Sequence, residues 1–266
     1  MIIPKPGKLD YSIPKAYRPV ALLNCLGKIL EKLMANRLAY MAEKYNLLHK
    51  DQIGGRRQRS AIDAAMALTH EIEQGKQAKE ITTALFMDVS GAFDNVSKDR
   101  LLQTLRQMGY PIPIQLWVEH FLSNRTTALA FDGRKEDLSP VRTGIPQGSP
   151  ASPILFLLYL SPLFYELTTQ YPCFWTPSYI DDVAIVVRSK SKAYNARCLE
   201  AAARTAFKWS ANNTVPFEDS KSEMMHFHNK RNGDTTDDEW ITLPNGTTIS
   251  PGTKSISPDV VRWIGI

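Results

Sequence analysis

Cysteine is scarce in this chain of 266 residues: Cys25, Cys173 and Cys198 stand singly, with no C-x-x-C pair. So placed, they offer neither a disulfide framework nor the paired thiolates of a zinc site, and a reducing, intracellular compartment is the expectation. Long hydrophobic runs are lacking too. The most apolar stretch, ILFLLYL at 154–160, is cut by Ser161 and Pro162, far short of the roughly 20 residues of a membrane-spanning helix. The opening MIIPKPGK has no apolar h-region of a signal peptide, so neither secretion nor membrane insertion is expected. Internal repeats and long linkers are absent as well, which leaves no mark of independently tethered domains.

What is present is a chain with 43% hydrophobic residues, enough for a real core. Its charge is unevenly spread. Residues 1–60 hold 12 Lys+Arg against 4 Asp+Glu, and the remainder 20 against 23. A basic first segment suits a polyanion partner, although a basic face is also the ordinary dress of a solvated surface.

Prolines at 4, 6, 14 and 19 break the opening into short extended pieces. From Leu26 to Tyr45 apolar residues recur at Leu26, Ile29, Leu30, Leu33, Leu38 and Met41, predicting an amphipathic helix whose other face carries Lys28, Lys32, Arg37 and Lys44. Helices are also predicted near 61–75, 97–108, 113–123, 151–169 and 191–213. Strands are expected at 81–89 and 223–228, with a hairpin turning at Asp132-Gly133 and another across SYIDDVAIVV. A polar loop is expected over 229–239 and short strands in the tail to VRWIGI. The order across 81–228 predicts an α+β fold, an antiparallel sheet with helices packed on one face, beside a mainly helical basic lobe.

Asp181 and Asp182 lie between apolar runs, and burying both uncompensated would cost several kcal/mol per charge, on the order of that for any unpaired ion. Either a turn exposes them to water or a cation meets them. Asp88 ends another buried strand, and two such ends side by side would gather three carboxylates, the oxygen donors that suit Mg²⁺. Two ions about 4 Å apart can activate a 3′-hydroxyl and stabilise a leaving pyrophosphate oxygen.

LFMDVSGAFDNV, GIPQGSPASPILF and SYIDDVAIVV stand in the order and spacing of reverse transcriptase motifs A, B and C. The chain resembles the enzyme of non-long-terminal-repeat, LINE-like retrotransposons, and QIGGRRQRSAIDA and FEDSKSEMMHF are similar to fungal members in particular. The likeness runs from IPKPGK and YRPVALL, similar to the first fingers motif, to VRWIGI, similar to the start of the primer grip. It implies the right-hand polymerase fold, with a fingers region over 1–80 and the palm over 81–266 in one continuous domain. A thumb, an endonuclease segment and an N-terminal extension would be missing.

By that resemblance Asp88, Asp181 and Asp182 are metal ligands, joined by the backbone carbonyl of Val89, for two Mg²⁺ ions or Mn²⁺ in their place. Phe93 corresponds to the aromatic gate beneath the incoming sugar, where its plain alternative is a core phenylalanine. Gly144, Pro146, Gln147 and Gly148 correspond to the nucleotide-facing motif B, which is equally a turn into the next helix. Lys5 and Arg18 correspond to triphosphate contacts, and Arg56, Arg57 and Arg59 to contacts with template phosphates. Lys221 corresponds to a lysine that protonates pyrophosphate. His226 and His228 alternate as edge-strand side chains would, without a third metal ligand at matching spacing. Ile180 stands where many family members carry a small residue.

The implied activity is RNA-directed DNA polymerisation: an RNA template, a DNA primer and deoxynucleoside triphosphates, inside a longer polyprotein with an endonuclease, in the nucleus. An idle RNA-binding remnant, an intron-encoded reverse transcriptase and a viral RNA-templated polymerase are the alternatives.

Overall fold

The computed structural model describes residues 1–7, 10–22, 24–128, 130–131, 133–228, 239–251 and 263. Its helices are α1 (Cys25–Lys44), α2 (Ala61–Gln77), α3 (Lys98–Gln107), α4 (Ile112–Leu122), α5 (Ser152–Gln170) and α6 (Lys192–Asn213). Most begin at a residue suited to the task. Asn24, Ser60, Ser97 and Ser191 each accept a backbone N–H of the first turn, and Ser60 with Asp63 closes a capping box. Each such cap is worth about 1 kcal/mol.

Contacts divide the chain into two compact units, one of residues 1–47 and 93–159, the other of 48–92 and 160–266. In the first, residues 2–4 pair with 17–19, and 125–127 pair with 139–141. Phe131 also stands opposite Arg134, while Asp132 of the expected Asp132-Gly133 turn lies outside the described residues.

Helix α1 forms where expected but presents a different stripe. Glu31, Met34, Ala35, Leu38 and Ala42 face inward, whereas Leu26, Ile29, Leu30 and Leu33 are all more than half exposed. Glu31 turns in because the Ser149 hydroxyl donates to its carboxylate at 2.5 Å, and the Tyr110 hydroxyl donates to the Leu38 carbonyl at 3.0 Å. Two polar contacts and the small residues Ala35 and Ala42 thus set the inward face, against the wider apolar stripe.

The second unit holds a four-stranded antiparallel sheet built from β1 (Ile81–Asp88), β2 (Ser178–Tyr179), β3 (Asp182–Ser189) and β4 (Glu223–Phe227). The spatial order is β4-β1-β3-β2. Alternation sends Ala84, Phe86, Ala184, Val186 and Met225 to one face, where Ala64 and Leu68 of α2 and Trp263 pack on them. Each large side chain buried there contributes about 1.5–3 kcal/mol. Thr83 points to the other face, where Asn195 of α6 donates to its hydroxyl at 2.9 Å and to the Ile81 carbonyl at 2.8 Å. Helices therefore cover both faces, not the single face expected. Strand β1 shows the result, its interior residues buried on both sides.

Strand β4 lies at the sheet edge, and His226 sits within 2.8 Å of the Thr83 hydroxyl, so its ring serves packing and hydrogen bonding. Residues 241–242 and 248–249 form a short antiparallel pair, short strands of the kind expected in the tail, while 229–238, 252–262 and 264–266 lie outside the described residues. Among the described residues no helix is long and apolar enough to cross a membrane.

Candidate active site

Strands β1 and β3 pair with Asp88 directly opposite Asp182, and Tyr179 of β2 is opposite Asp182 on the other side. The two residues between β2 and β3 are therefore Ile180 and Asp181, a tight hairpin tip that sets three carboxylates at one end of the sheet. Ile180 adopts φ 60. Only the first of the two tip residues is left-handed, the arrangement in which glycine is favoured, and a β-branched residue held so stores about 1–3 kcal/mol.

The electrostatics follow from this crowding. Burial, then the charges of Asp181 and Asp88, push the Asp182 carboxyl from 3.8 up to about 6, with Lys221 opposing. Lys221, from the 219–221 turn, forms an ion pair with Asp88. Burial would lower the Lys221 ammonium, but the bond to Asp88 and the nearby charges of Glu218 and Asp181 outweigh it and hold it above its ordinary value.

The segment ahead of Lys221 is laced to the end of β1. Glu218 N–H donates to the Asp88 carbonyl at 2.8 Å, Ser90 N–H to the Pro216 carbonyl at 2.8 Å, and the Ser90 hydroxyl to the Glu218 carboxylate at 3.0 Å. Since backbone polar groups alternate along an extended strand, Asp88 and Ser90 facing 216–218 leaves the Val89 carbonyl facing β3, the side of the acids. Glu218 escaped the sequence argument; its one signal was its place in the acidic run FEDSKSE.

Asp88, Asp181, Asp182 and the Val89 carbonyl form an all-oxygen donor set, which fits a hard divalent cation. Among the described residues no three ligating side chains are already closed around a single point. The Lys221 ammonium already neutralises one of the three acids, Asp88.

In the other unit, Phe93 stacks at a tilt on Phe156, ring centres 5.4 Å apart, and remains only half-buried. Motif B is bonded to the same stretch: Ile145 N–H donates to the Phe93 carbonyl at 2.7 Å and Gly144 N–H to the Val96 carbonyl at 2.9 Å. Gln147 donates its amide to both carboxylate oxygens of Asp94 at 3.0 Å, which leaves its own carbonyl oxygen free of that contact. Asp94 is a second residue that sequence reasoning passed over. Gly148, at φ 107, lies beside Ala21, whose N–H donates to the Gln147 carbonyl at 2.8 Å.

Gly144 is needed for steric reasons. It has φ 79, and a Cβ there would lie 2.7 Å from the Asp94 carbonyl oxygen and 2.9 Å from the Phe93 carbonyl oxygen. Gly133 has nearly the same angle, φ 75, but open space around it. Gly144→Ala is therefore expected to destabilise more than Gly133→Ala, by about 1–3 kcal/mol, the part due to overpacking. Thermal unfolding of the two variants checks this, and equal losses would show that motif B can retreat from Phe93 and Asp94 freely.

Lys5 and Arg18 come from the 2–4 and 17–19 ribbon, where Ile3 pairs with Arg18 and Lys5 N–H donates to the Ala16 carbonyl at 2.8 Å. Arg18 is exposed and Lys5 half-buried. The three arginines differ among themselves. Arg56 donates to the His49 and Gln52 carbonyls, both at 3.2 Å, and so ties its own loop, while Arg57 and Arg59 lie exposed, Arg59 with a 3.2 Å bond to the Lys50 carbonyl.

Comparison with known proteins bears on family and fold. The family described as Reverse transcriptase (RNA-dependent DNA polymerase) matches residues 3–266. The chain is similar to the RNA-directed DNA polymerase from mobile element jockey of Drosophila melanogaster, 29% identical over 86% of this chain and 25% of that protein. It is also similar to the probable RNA-directed DNA polymerase from transposon BS of the same species, 30% identical over 77% of this chain and 22% of that one. The chain thus spans about a quarter of the length of these curated relatives. In fold it is similar to telomerase from Candida albicans, solved with a fragment of telomeric RNA, with a TM-score of 0.56 at 12% identity over 88% of this chain and 41% of that one. Apo telomerase from Candida tropicalis, truncated from its C-terminal domain, gives a TM-score of 0.53 at 14% identity over 84% of this chain and 43% of that one. These likenesses establish an α+β, right-hand polymerase fold, and with the match over nearly every residue the chain belongs to the reverse transcriptase (RNA-dependent DNA polymerase) family.

Proposed function

We propose that this chain is the polymerase core of a non-long-terminal-repeat retrotransposon protein, extending a DNA primer on an RNA template with deoxynucleoside triphosphates. The observation that carries it is the register that sets Asp88 opposite Asp182, with Asp181 beside them at the hairpin tip. When bound, two Mg²⁺ ions, or Mn²⁺, would lower the pKa of the primer 3′-hydroxyl and neutralise charge on the leaving pyrophosphate.

The chain's own residues do the rest. Asp88, Asp181, Asp182 and the Val89 carbonyl hold the ions, and Lys221, freed from Asp88, delivers a proton to pyrophosphate. Lys5 and Arg18 hold the triphosphate, with Gln147 and Gly148 beside the sugar and base and Phe93 excluding a 2′-hydroxyl. In this scheme residues 1–80 act as fingers and 81–266 as palm. The complete protein would carry an endonuclease and act in the nucleus.

Primer extension on RNA with deoxynucleotides, with and without EDTA, tests the proposal in a polymerase containing this chain. Metal-dependent extension is expected. RNA binding that persists while Mg²⁺ and Mn²⁺ support no extension would show an idle RNA-binding remnant instead.

Template binding should be strongly salt-dependent, since each phosphate contact releases counterions. Replacing Arg57 and Arg59 together by Ala is expected to flatten the slope of log K against log salt by about 1.4–1.8. A filter-binding series across salt concentrations reads this directly, and an unchanged slope removes both arginines from the interface.

A further inference from the structure

The loop of residues 49–59 lies along the hairpin that carries Asp181 and Asp182. Gln52 bridges to Ser178 in parallel, Ser178 N–H donates to the Asp51 carbonyl at 3.0 Å, and the Ser178 carbonyl accepts from Ile53 at 2.8 Å and from Gly54 at 3.2 Å. Gln52 and Ser178 are fully buried. The loop is itself braced: Arg56 ties the His49 and Gln52 carbonyls, and the His49 ring stacks on Phe164 at 6.0 Å and lies 3.0 Å from the Thr168 hydroxyl.

At the point of closest approach stands Gly54. A Cβ on it would lie 2.5 Å from the Ile180 nitrogen and 2.8 Å from both the Cα and carbonyl carbon of Tyr179. All three are backbone atoms of the tip, so no side-chain rotation can relieve the contact. Ile180, at φ 60, is the residue with a stored reason to move.

We infer that Gly54 is a positioning residue for the catalytic acids: its bare backbone is the surface against which the strained Ile180–Asp181 turn is held. The inference rests on the polymerase reading of Asp88, Asp181 and Asp182. It also makes the loop bearing Arg57 and Arg59 mechanically continuous with the acids, so that a template strand gripped by those arginines is held in register with the metal ligands.

Gly75 supplies a control within the same unit. A Cβ there would press on the Thr82 hydroxyl, a side chain that can rotate, at the far end of β1 from Asp88. Tb³⁺ luminescence and thermal unfolding of the full chain are measured for wild type, Gly54→Ala, Gly75→Ala and Gly54→Ala/Ile180→Gly. Gly54→Ala should weaken Tb³⁺ binding about tenfold or more, as loss of outer support does for metal ligands, while Gly75→Ala leaves binding unchanged. Glycine at 180 lets the tip retreat, so the double variant should regain part of the lost affinity. If Gly54→Ala alone does not fold, recovery of folding and binding in the double variant carries the same meaning, and absence of that recovery overturns the inference. Wild-type affinity in Gly54→Ala, or equal weakening in Gly75→Ala, also overturns it. Tb³⁺ binding that Asp181→Asn does not alter in the otherwise wild-type chain overturns the metal-site reading as well, which separates the two failures.

Discussion

Replacing Asp88, Asp181 or Asp182 by Asn is expected to abolish primer extension, with a loss of at least about a thousandfold, because on the proposed mechanism each change removes an anionic ligand from a reaction that depends on charge neutralisation. Stability should move the other way. Asp182 titrates near 6 in the folded protein against 3.8 ordinarily. With its folded pKa raised, the contribution is most favourable below the unfolded value and is lost as pH climbs from about 4 to about 6. At neutral pH the full penalty is present, and Asp182→Asn lifts it. A shift of that size corresponds to about 3 kcal/mol at most, reduced to about 1–2 by solvent screening of a partly exposed group. Asp182→Asn should thus melt higher than wild type at pH 7 without metal, with the difference shrinking toward pH 4. A variant that stays fully active, or that melts lower at pH 7, contradicts the account of crowded carboxylates.

Phe93→Val should raise ribonucleotide incorporation relative to deoxynucleotide incorporation by about 10- to 100-fold, or about 1.4–2.8 kcal/mol of transition-state discrimination. The ring is half-buried, leaning on Phe156, so one side is packed while the other remains available to a ligand. Its carbonyl accepts the Ile145 N–H, which holds the main chain at this point. A clash with a 2′-hydroxyl therefore falls on the ring itself. Were Phe93 only core, valine would leave a cavity costing about 1–3 kcal/mol, lowering stability and both incorporation rates together. Measuring kcat/KM for both nucleotide classes beside the melting temperature distinguishes the cases, and a proportional fall in both rates rejects the gate.

The sequence made the strand ends legible because ITTALFMD and DVAIVVRS are buried β-forming runs, each with its acid at the boundary. Their register also follows, since a slip by one residue would turn Asp88 and Asp182 to opposite faces. Gly54 was not legible. Its necessity arises from a backbone 125 residues away (179 − 54) that no local pattern announces. The bond from Gln147 to Asp94 was hidden likewise, because motif spacing shows which residues face a nucleotide but not which side chain orients another. Helix α1 shows the limit of periodicity, for the apolar stripe read from the sequence gave way to the face that the Glu31–Ser149 contact turns inward. The number of covered sheet faces depended on Asn195 reaching Thr83, again a long-range pairing.

The central claim is that Asp88, Asp181 and Asp182 act together as a divalent-cation site. Mn²⁺ binding to the full chain, followed by electron paramagnetic resonance at pH 7 and at pH 5, tests it most directly. Binding is expected at pH 7, weaker binding at pH 5 where Asp182 takes up its proton, and loss of binding in Asp181→Asn at both. Binding that is the same in wild type and Asp181→Asn, and indifferent to pH between 5 and 7, would contradict the claim.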